Sequence, residues 1–262
     1  HDLHTAMLAG AARLLCARQD EVPGTVIFMF QPGEEGFAGA RHMINEGVLD
    51  AAGERPVAAY ALHVSANKQP CGVFSTRPGP MLAAADQITV TVHGRGGHAS
   101  QPHRAADPIP AACEMVIALQ TMVTRKFDVF DPVVITVGSF HAGTTDNVIP
   151  DQARFLATAR SYSPASRTAL ADLVPRLVRD IADAHGLTAE AEYAGEYPVT
   201  VNDATEVAFA GQVITEVFGP DLRVSHALGV TGIPSRARVS PDGRYGAVTL
   251  FVTGHAYADP GS

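Results

Sequence analysis

The chain has 262 residues, 46% hydrophobic and 18% charged, with a formal net charge of -8. That length and composition allow a full core in one or two domains and exclude a disordered chain. No Lys/Arg-rich run and no apolar stretch of the roughly 18 residues a membrane span needs is present, which argues against nucleic acid and membranes as partners.

The chain opens on His1-Asp2-Leu3-His4 with a helical pattern already under way to Arg18, as in a fragment whose upstream residues are missing. Residues 25–30 form a near-continuous apolar run, the pattern of a strand buried on both faces. It breaks at Gln31-Pro32-Gly33-Glu34-Glu35-Gly36. A short helix over 38–45 is stopped near Gly47, and 57–62 reads as a second buried strand, so this stretch predicts part of a βαβ layer with a parallel sheet.

From about residue 83 the pattern changes. Ile88, Val90 and Val92 alternate with polar residues, as in a strand with one wet face. A loop, Gly94-Arg95-Gly96-Gly97-His98, precedes a helix from Asp107 to about 124 with Pro108 in its first turn. Strands are expected over 133–139 and 154–161. Ser163-Pro164 opens a second long helix, with Leu170, Val174, Leu177, Val178 and Ile181 on one stripe, a kink expected at Pro175 and a stop at Gly186. A strand over 188–193 completes a β-α-β-β-α-β order, the ferredoxin-like unit. The expected domains are therefore 1–82, an inserted 83–193, and 194–262. After Asn202-Asp203 a third amphipathic helix runs to Phe218. The last forty residues are weakly patterned, with a strand over 248–252.

Three cysteines, Cys16, Cys71 and Cys113, are scattered, which predicts a reducing, cytoplasmic setting. Cys16 and Cys113 fall in helical patterns and read as small core residues.

Chemistry concentrates at element ends. Glu34 and Glu35 follow an apolar strand pattern, where adjacent carboxylates are costly without a balancing cation or proton. His1 begins a helix and His63 ends a strand. Each has a plain reading alone: a solvated helix start, or a satisfied surface histidine. Together, imidazole and carboxylate with little thiol suit zinc, manganese, cobalt or nickel.

The combined motifs resemble the dinuclear metallo-amidohydrolases of the hippurate hydrolase and N-acyl-amino-acid amidohydrolase group, related to aminoacylase, carboxypeptidase G and the plant auxin-conjugate hydrolases. The matching stretches are His1-Asp2-Leu3-His4-Thr5, Phe30-Gln31-Pro32-Gly33-Glu34-Glu35-Gly36, Ala61-Leu62-His63, Arg77-Pro78-Gly79-Pro80-Met81, Gly94-Arg95-Gly96-Gly97-His98-Ala99, Pro102-His103, Asp107-Pro108, His141-Ala142-Gly143-Thr144 and Asp146-Asn147-Val148-Ile149-Pro150. They cover roughly residues 1 to 218.

The resemblance implies an α/β fold: a partial metallopeptidase-type catalytic domain with an inserted ferredoxin-like lid and dimerisation domain. It implies two divalent metal ions, with His1, Glu35 and His63 as ligands and Glu34 as general base. A cysteine ligand would lie two residues upstream of His1. His98 and Asn147 match lid residues that reach the substrate, the His coming from the partner subunit of a homodimer. The implied activity is amide hydrolysis of small N-acyl amino acids. A dipeptidase or carboxypeptidase of the same family, or a non-catalytic dimerising remnant, are the alternatives.

His4, His42, His93, His103 and His141 receive no role, His103 being the nearest to a supporting one. After Pro220 the family's acidic Glu-Asp-Phe segment and terminal His motif are not recognisable, and His226 and His255 are the only nearby imidazoles. A disrupted reading frame would produce such a tail.

Overall fold

The structure, a computed structural model, describes residues 1–65, 73–219, 224–225 and 247–254. It divides into two compact units, one of His1–Leu82 with Thr200–Ser262 and one of Ala83–Val199. The first unit opens with helix α1 (Asp2–Cys16), a distorted turn α2 (Glu34–Phe37) and helix α3 (Gly39–Asn45). Strands β1 (Ala58–Ser65), β2 (Phe74–Ser75) and β3 (Gly79–Leu82) follow. The second unit carries β4 (Ala84–His93), β5 (Gly97–His98), α4 (Pro108–Lys126), β6 (Val134–Ala142), β7 (Val148–Ile149), β8 (Gln152–Ser161), α5 (Pro164–Ala184) and β9 (Thr188–Tyr197). The chain returns to the first unit with β10 (Thr200–Asn202), α6 (Ala204–Phe218), β11 (Val224–Ser225) and β12 (Ala247–Gly254).

In the second unit the long elements follow the expected order, and the antiparallel sheet runs β6-β8-β4-β9. Alternation places Ile88, Val90 and Val92 on the covered face, against Phe155 of β8, Met115 and Leu119 of α4, and Leu170, Val174 and Val178 of α5. The helix starts are capped where the sequence predicts. The Asp107 carboxylate accepts from Ile109 N–H at 3.0 Å, and Ser163 Oγ accepts from Ser166 N–H at 3.0 Å. Gly186 ends α5 with φ +68°, and the helix runs on through Pro175. β9 continues to Tyr197, beyond the predicted end at Tyr193. The loop predicted over 94–98 contains a short strand, because β5 pairs with β7 and Arg95 bridges to Ala106.

One charge lies in this core. Asp86, 1% exposed, receives Arg167 through Nε at 3.1 and 3.0 Å and through Nη2 at 2.6 Å. The Tyr193 hydroxyl donates to it at 2.8 Å and the Glu196 N–H at 3.2 Å. A buried carboxylate persists only with its lone pairs filled, and here four donor groups fill them. Burial and the negative partner push the Tyr193 phenol well above its usual range.

The first unit departs from expectation. Residues 25–30 are not a strand, and Val26 and Phe30 are 45% and 46% exposed. No described strand lies beside them, and an unpaired strand has only water for its backbone groups. β1 is not buried on both faces, since Tyr60 and Leu62 are exposed. It pairs antiparallel with β12 in a mixed sheet ordered β1-β12-β2-β11, in which β2 pairs parallel with β11 and β12, and among the described residues, 25–30 and 57–62 are not joined in the expected parallel βαβ layer. An apolar run alone does not tell one covered face from two. The small core of this unit comes from α6, where Val207, Ala210 and Ile214 are buried with Phe74 against them. Asp203 caps α6 through Thr205 and Glu206 N–H at 2.8 and 3.1 Å.

Cys16 and Cys113 are exposed rather than core residues. α1 buries no residue, and α4 turns Ala111, Ala112 and Met115 inward, which leaves position 113 on its outer face. Cys71, the 231–236 segment, His226 and His255 lie outside the described residues. Among the described residues no helix is long and apolar enough to cross a membrane.

Asp86→Ala is expected to destabilise the chain by about 3–5 kcal/mol, because it strands the Arg167 guanidinium. Urea unfolding followed by near-ultraviolet circular dichroism measures it.

Candidate metal centre

Two trios of ligand-type side chains meet in the first unit, and His1 belongs to both. His1, Glu34 and Glu35 form one, and His1, His4 and His63 the other, with ligand atoms in each within 4.8 Å of one another. His1 is the N-cap of α1, and His4, three residues on, lies on the same side of the helix. His63 sits on β1. Of the predicted residues the structure thus brings His1, Glu34, Glu35 and His63 into two overlapping groups.

The loop that carries the carboxylates is held by close backbone contact. Gly33 is left-handed at φ +54°, Gly36 at +83°, and Ala38, unusually for a residue with a Cβ, at +49°. Gly39 N–H meets the Gly33 carbonyl at 3.4 Å. A Cβ on Gly39 would stand 1.5 Å from the Pro32 carbonyl oxygen, so only glycine closes this loop.

His1 Nε2 lies 3.5 Å from Glu35 Oε1 and 3.8 Å from Glu34 Oε2. Two ligands bonded at about 2.1 Å with a tetrahedral angle between them stand about 3.4 Å apart. The His1–Glu35 pair matches that spacing and the Glu34 oxygen stands farther off. The donor set, imidazole nitrogen with carboxylate oxygen, fits a divalent ion of the zinc or manganese kind. The candidate ligands His1 and Glu35 are half or more exposed.

His63 Nδ1 lies 2.8 Å from the Val64 carbonyl. His4, left without a role by the sequence reading, accepts the Val64 N–H on Nε2 at 3.0 Å. Burial pushes the His4 imidazole below its ordinary range, with the neighbouring His63 adding to it and Asp2 opposing. The signal for His4 was present in the sequence: two histidines three apart at a helix start share a side.

His98 and Asn147 belong to the second unit, and β5–β7 pairing makes them neighbours. His98 is opposite Val148, and the Asn147 carbonyl accepts Ala99 N–H at 3.1 Å. His98 Nδ1 accepts Ser100 N–H at 3.2 Å, with Ser100 Oγ 2.8 Å away. A backbone N–H only donates, so the neutral His98 ring carries its proton on Nε2. Asn147 Oδ1 accepts from the Thr145 hydroxyl at 3.1 Å. Asp151 fixes the glycine loop twice, its carbonyl accepting Gly94 N–H at 2.8 Å and its carboxylate Gly96 N–H at 2.8 Å. Added Cβ atoms at Gly94 and Gly96 would lie 2.2 Å from Ala106 O and 2.7 Å from Ile149 O, so these glycines answer to packing and not only to turn geometry.

The first unit thus holds a candidate metal site, and comparison with known proteins places the chain. The profile of peptidase family M20/M25/M40 matches residues 1–257, and the chain belongs to that family. It is 38% identical over 206 residues to thermostable carboxypeptidase 2 of Saccharolobus solfataricus, covering 78% of this chain and 51% of that protein. It is 37% identical over 223 residues to an IAA-amino acid hydrolase of Arabidopsis thaliana, covering 84% of this chain and 50% of the relative. Among solved structures it resembles the Bacillus subtilis YXEP protein, described as a dinuclear metal binding peptidase of the M20 family. There the TM-score is 0.68 at 29% identity, over 95% of this chain and 62% of that one. The chain spans about half the length of the curated relatives it matches.

Gly39→Ala is expected to open the carboxylate loop, destabilising the chain by about 1–3 kcal/mol and weakening Mn²⁺ binding. Thermal unfolding and calorimetric titration check both effects. Gly10→Ala, where nothing lies within 4 Å, leaves metal binding unchanged.

Proposed function

We propose that the chain is part of a metal-dependent amidohydrolase that cleaves the amide bond of small N-acyl amino acids. The observation that carries this reading is the convergence of His1 with both Glu34 and Glu35 and with His63. The name of the Arabidopsis relative supports an amino-acid conjugate as substrate. The Saccharolobus relative's name favours the second reading, a carboxypeptidase, which the same residues would serve.

In this reading His1, Glu35 and His63 hold two divalent ions together with ligands outside the described residues. Bound, such a pair supplies Lewis-acid polarisation of the amide carbonyl and a lowered pKa for the attacking water. Glu34, standing farther from His1 than Glu35 does, takes a proton from the water and returns it to the leaving amine. His98 offers its Nε2–H to the developing oxyanion, and the Asn147 side-chain amide adds a second donor.

The second unit acts as a ferredoxin-like lid and as the surface of a homodimer. Support comes from its edge strand β6, where Val134 and Phe140 are exposed, since an uncovered edge invites pairing with another copy. His98 is then supplied across the dimer. The setting is cytoplasmic, in keeping with free thiols at Cys16 and Cys113.

Glu34→Gln is expected to lower hydrolysis of N-acyl amino acids by about 10²–10⁴ while metal content stays at the wild-type level. Steady-state rates and metal analysis of one preparation decide it, and near-normal turnover reassigns Glu34. Mixing His98→Ala with Glu34→Gln protein restores activity if His98 works across the dimer. No recovery despite demonstrated subunit exchange rules that out.

A further inference from the structure

β1 ends the strand order β1-β12-β2-β11, so alternate residues along it turn their backbone groups away from the sheet. At Val64 two imidazoles take those groups. The Val64 N–H donates to His4 Nε2 at 3.0 Å, and the Val64 carbonyl lies 2.8 Å from His63 Nδ1. A carbonyl only accepts, so His63 Nδ1 carries the proton and the ring's lone pair is on Nε2. A backbone N–H only donates, so His4 Nε2 is the bare nitrogen and the His4 proton sits on Nδ1. The lone pair that His4 would need to bind a metal is already engaged.

Distance alone makes His4 a ligand candidate, because His1, His4 and His63 lie within 4.8 Å. The tautomers separate the roles. The His4 and His63 rings stand 4.5 Å apart at 57°, packed side by side while both hold Val64. Metal-binding histidines are usually oriented by a partner on the other ring nitrogen, and loss of that support weakens binding. For His63 the partner is the Val64 carbonyl, and for Val64 the anchor is His4.

We propose that His4 is a positioning residue and not a ligand: by anchoring the Val64 N–H it sets the Val64 carbonyl that holds His63 with Nε2 as the ligand nitrogen. This rests on the reading of His63 as a ligand of a divalent ion.

The test uses the whole chain, with Mn²⁺ alone as the probe, in wild type, His4→Gln, His4→Leu and His63→Ala. Gln keeps an acceptor near the place of Nε2 but is a poor ligand, and Leu has no acceptor. Long-range ¹H–¹⁵N spectra of the metal-free chain report the His63 tautomer. The expected result is His4→Gln within about threefold of wild type and His4→Leu weaker by about 10–100-fold. His63 should keep Nδ1–H in wild type and His4→Gln and become a tautomer mixture in His4→Leu. If His4→Gln binds Mn²⁺ as poorly as His63→Ala, His4 is a ligand and the proposal falls. If His4→Leu matches wild type in both readouts, His4 positions nothing and the proposal falls. If wild type binds no Mn²⁺, the reading of His63 as a ligand fails. The tautomer comparison then decides the positioning claim alone: loss of Nδ1–H in His4→Leu but not in His4→Gln upholds it, and any other pattern overturns it.

Discussion

Two adjacent carboxylates repel each other, and a chain left to itself would turn them apart. In this protein the turn that carries Glu34 and Glu35 is closed by Gly39, whose Cα lies so near Pro32 that an added Cβ would stand 1.5 Å from the carbonyl oxygen. That contact, with the left-handed backbone at Gly33, Gly36 and Ala38, leaves the loop few conformations. Both acids therefore face His1. The rest of the centre depends on this closure, because His1, at the start of α1, belongs both to the group with these acids and to the group with His4 and His63. Steric exclusion in the backbone thus holds charges together that electrostatics alone would separate.

The two units are stabilised in different ways. The second has a continuous core drawn from β4, β6, β8, α4 and α5, and its glycine loop is pinned by ordinary hydrogen bonds to Asp151. The first buries little among its described residues, and its order rests on edge chemistry, with histidine side chains satisfying a strand's outward backbone groups at Val64. Replacing an imidazole there removes a candidate ligand or its support and also exposes a backbone group, so chemistry and folding share the same atoms.

Much of the second unit was legible from sequence because each local signal has one physical meaning. Asp107-Pro108 and Ser163-Pro164 are helix starts, Gly186 is a left-handed stop, and the Ile88, Val90, Val92 alternation admits one covered face. The first unit was read less well for a definite reason. The apolar runs at 25–30 and 57–62 carry hydrophobicity but no information about neighbours, and burial depends on neighbours. Cys16 and Cys113 were placed in the core by residue type, whereas α1 buries none of its residues and the phase of α4 turns Cys113 outward. The metal-type residues His1, Glu35 and His63 were visible as element ends. The three-residue spacing put His4 beside His1, but its bond to Val64 was not legible, because that backbone group lies sixty residues away.

The buried Asp86 has a consequence beyond its own bonds. Its strand alternates strictly, and the ladder with β9 shifts register beside it, between Ala85 and Asp86. A slip of β4 by one residue would turn Asp86 to water and Gln87 into the apolar layer. A slip by two would move the charge away from the Arg167 guanidinium and the Tyr193 hydroxyl. Only one alignment lets this carboxylate keep its donors, and a two-residue slip would bury it without them, a penalty an apolar residue there would not carry. Asp86 works as a proofreading mark: it widens the gap between the native sheet and its nearest competitors, and a well-packed apolar residue of the same size would leave that gap narrower even where it made the native sheet more stable.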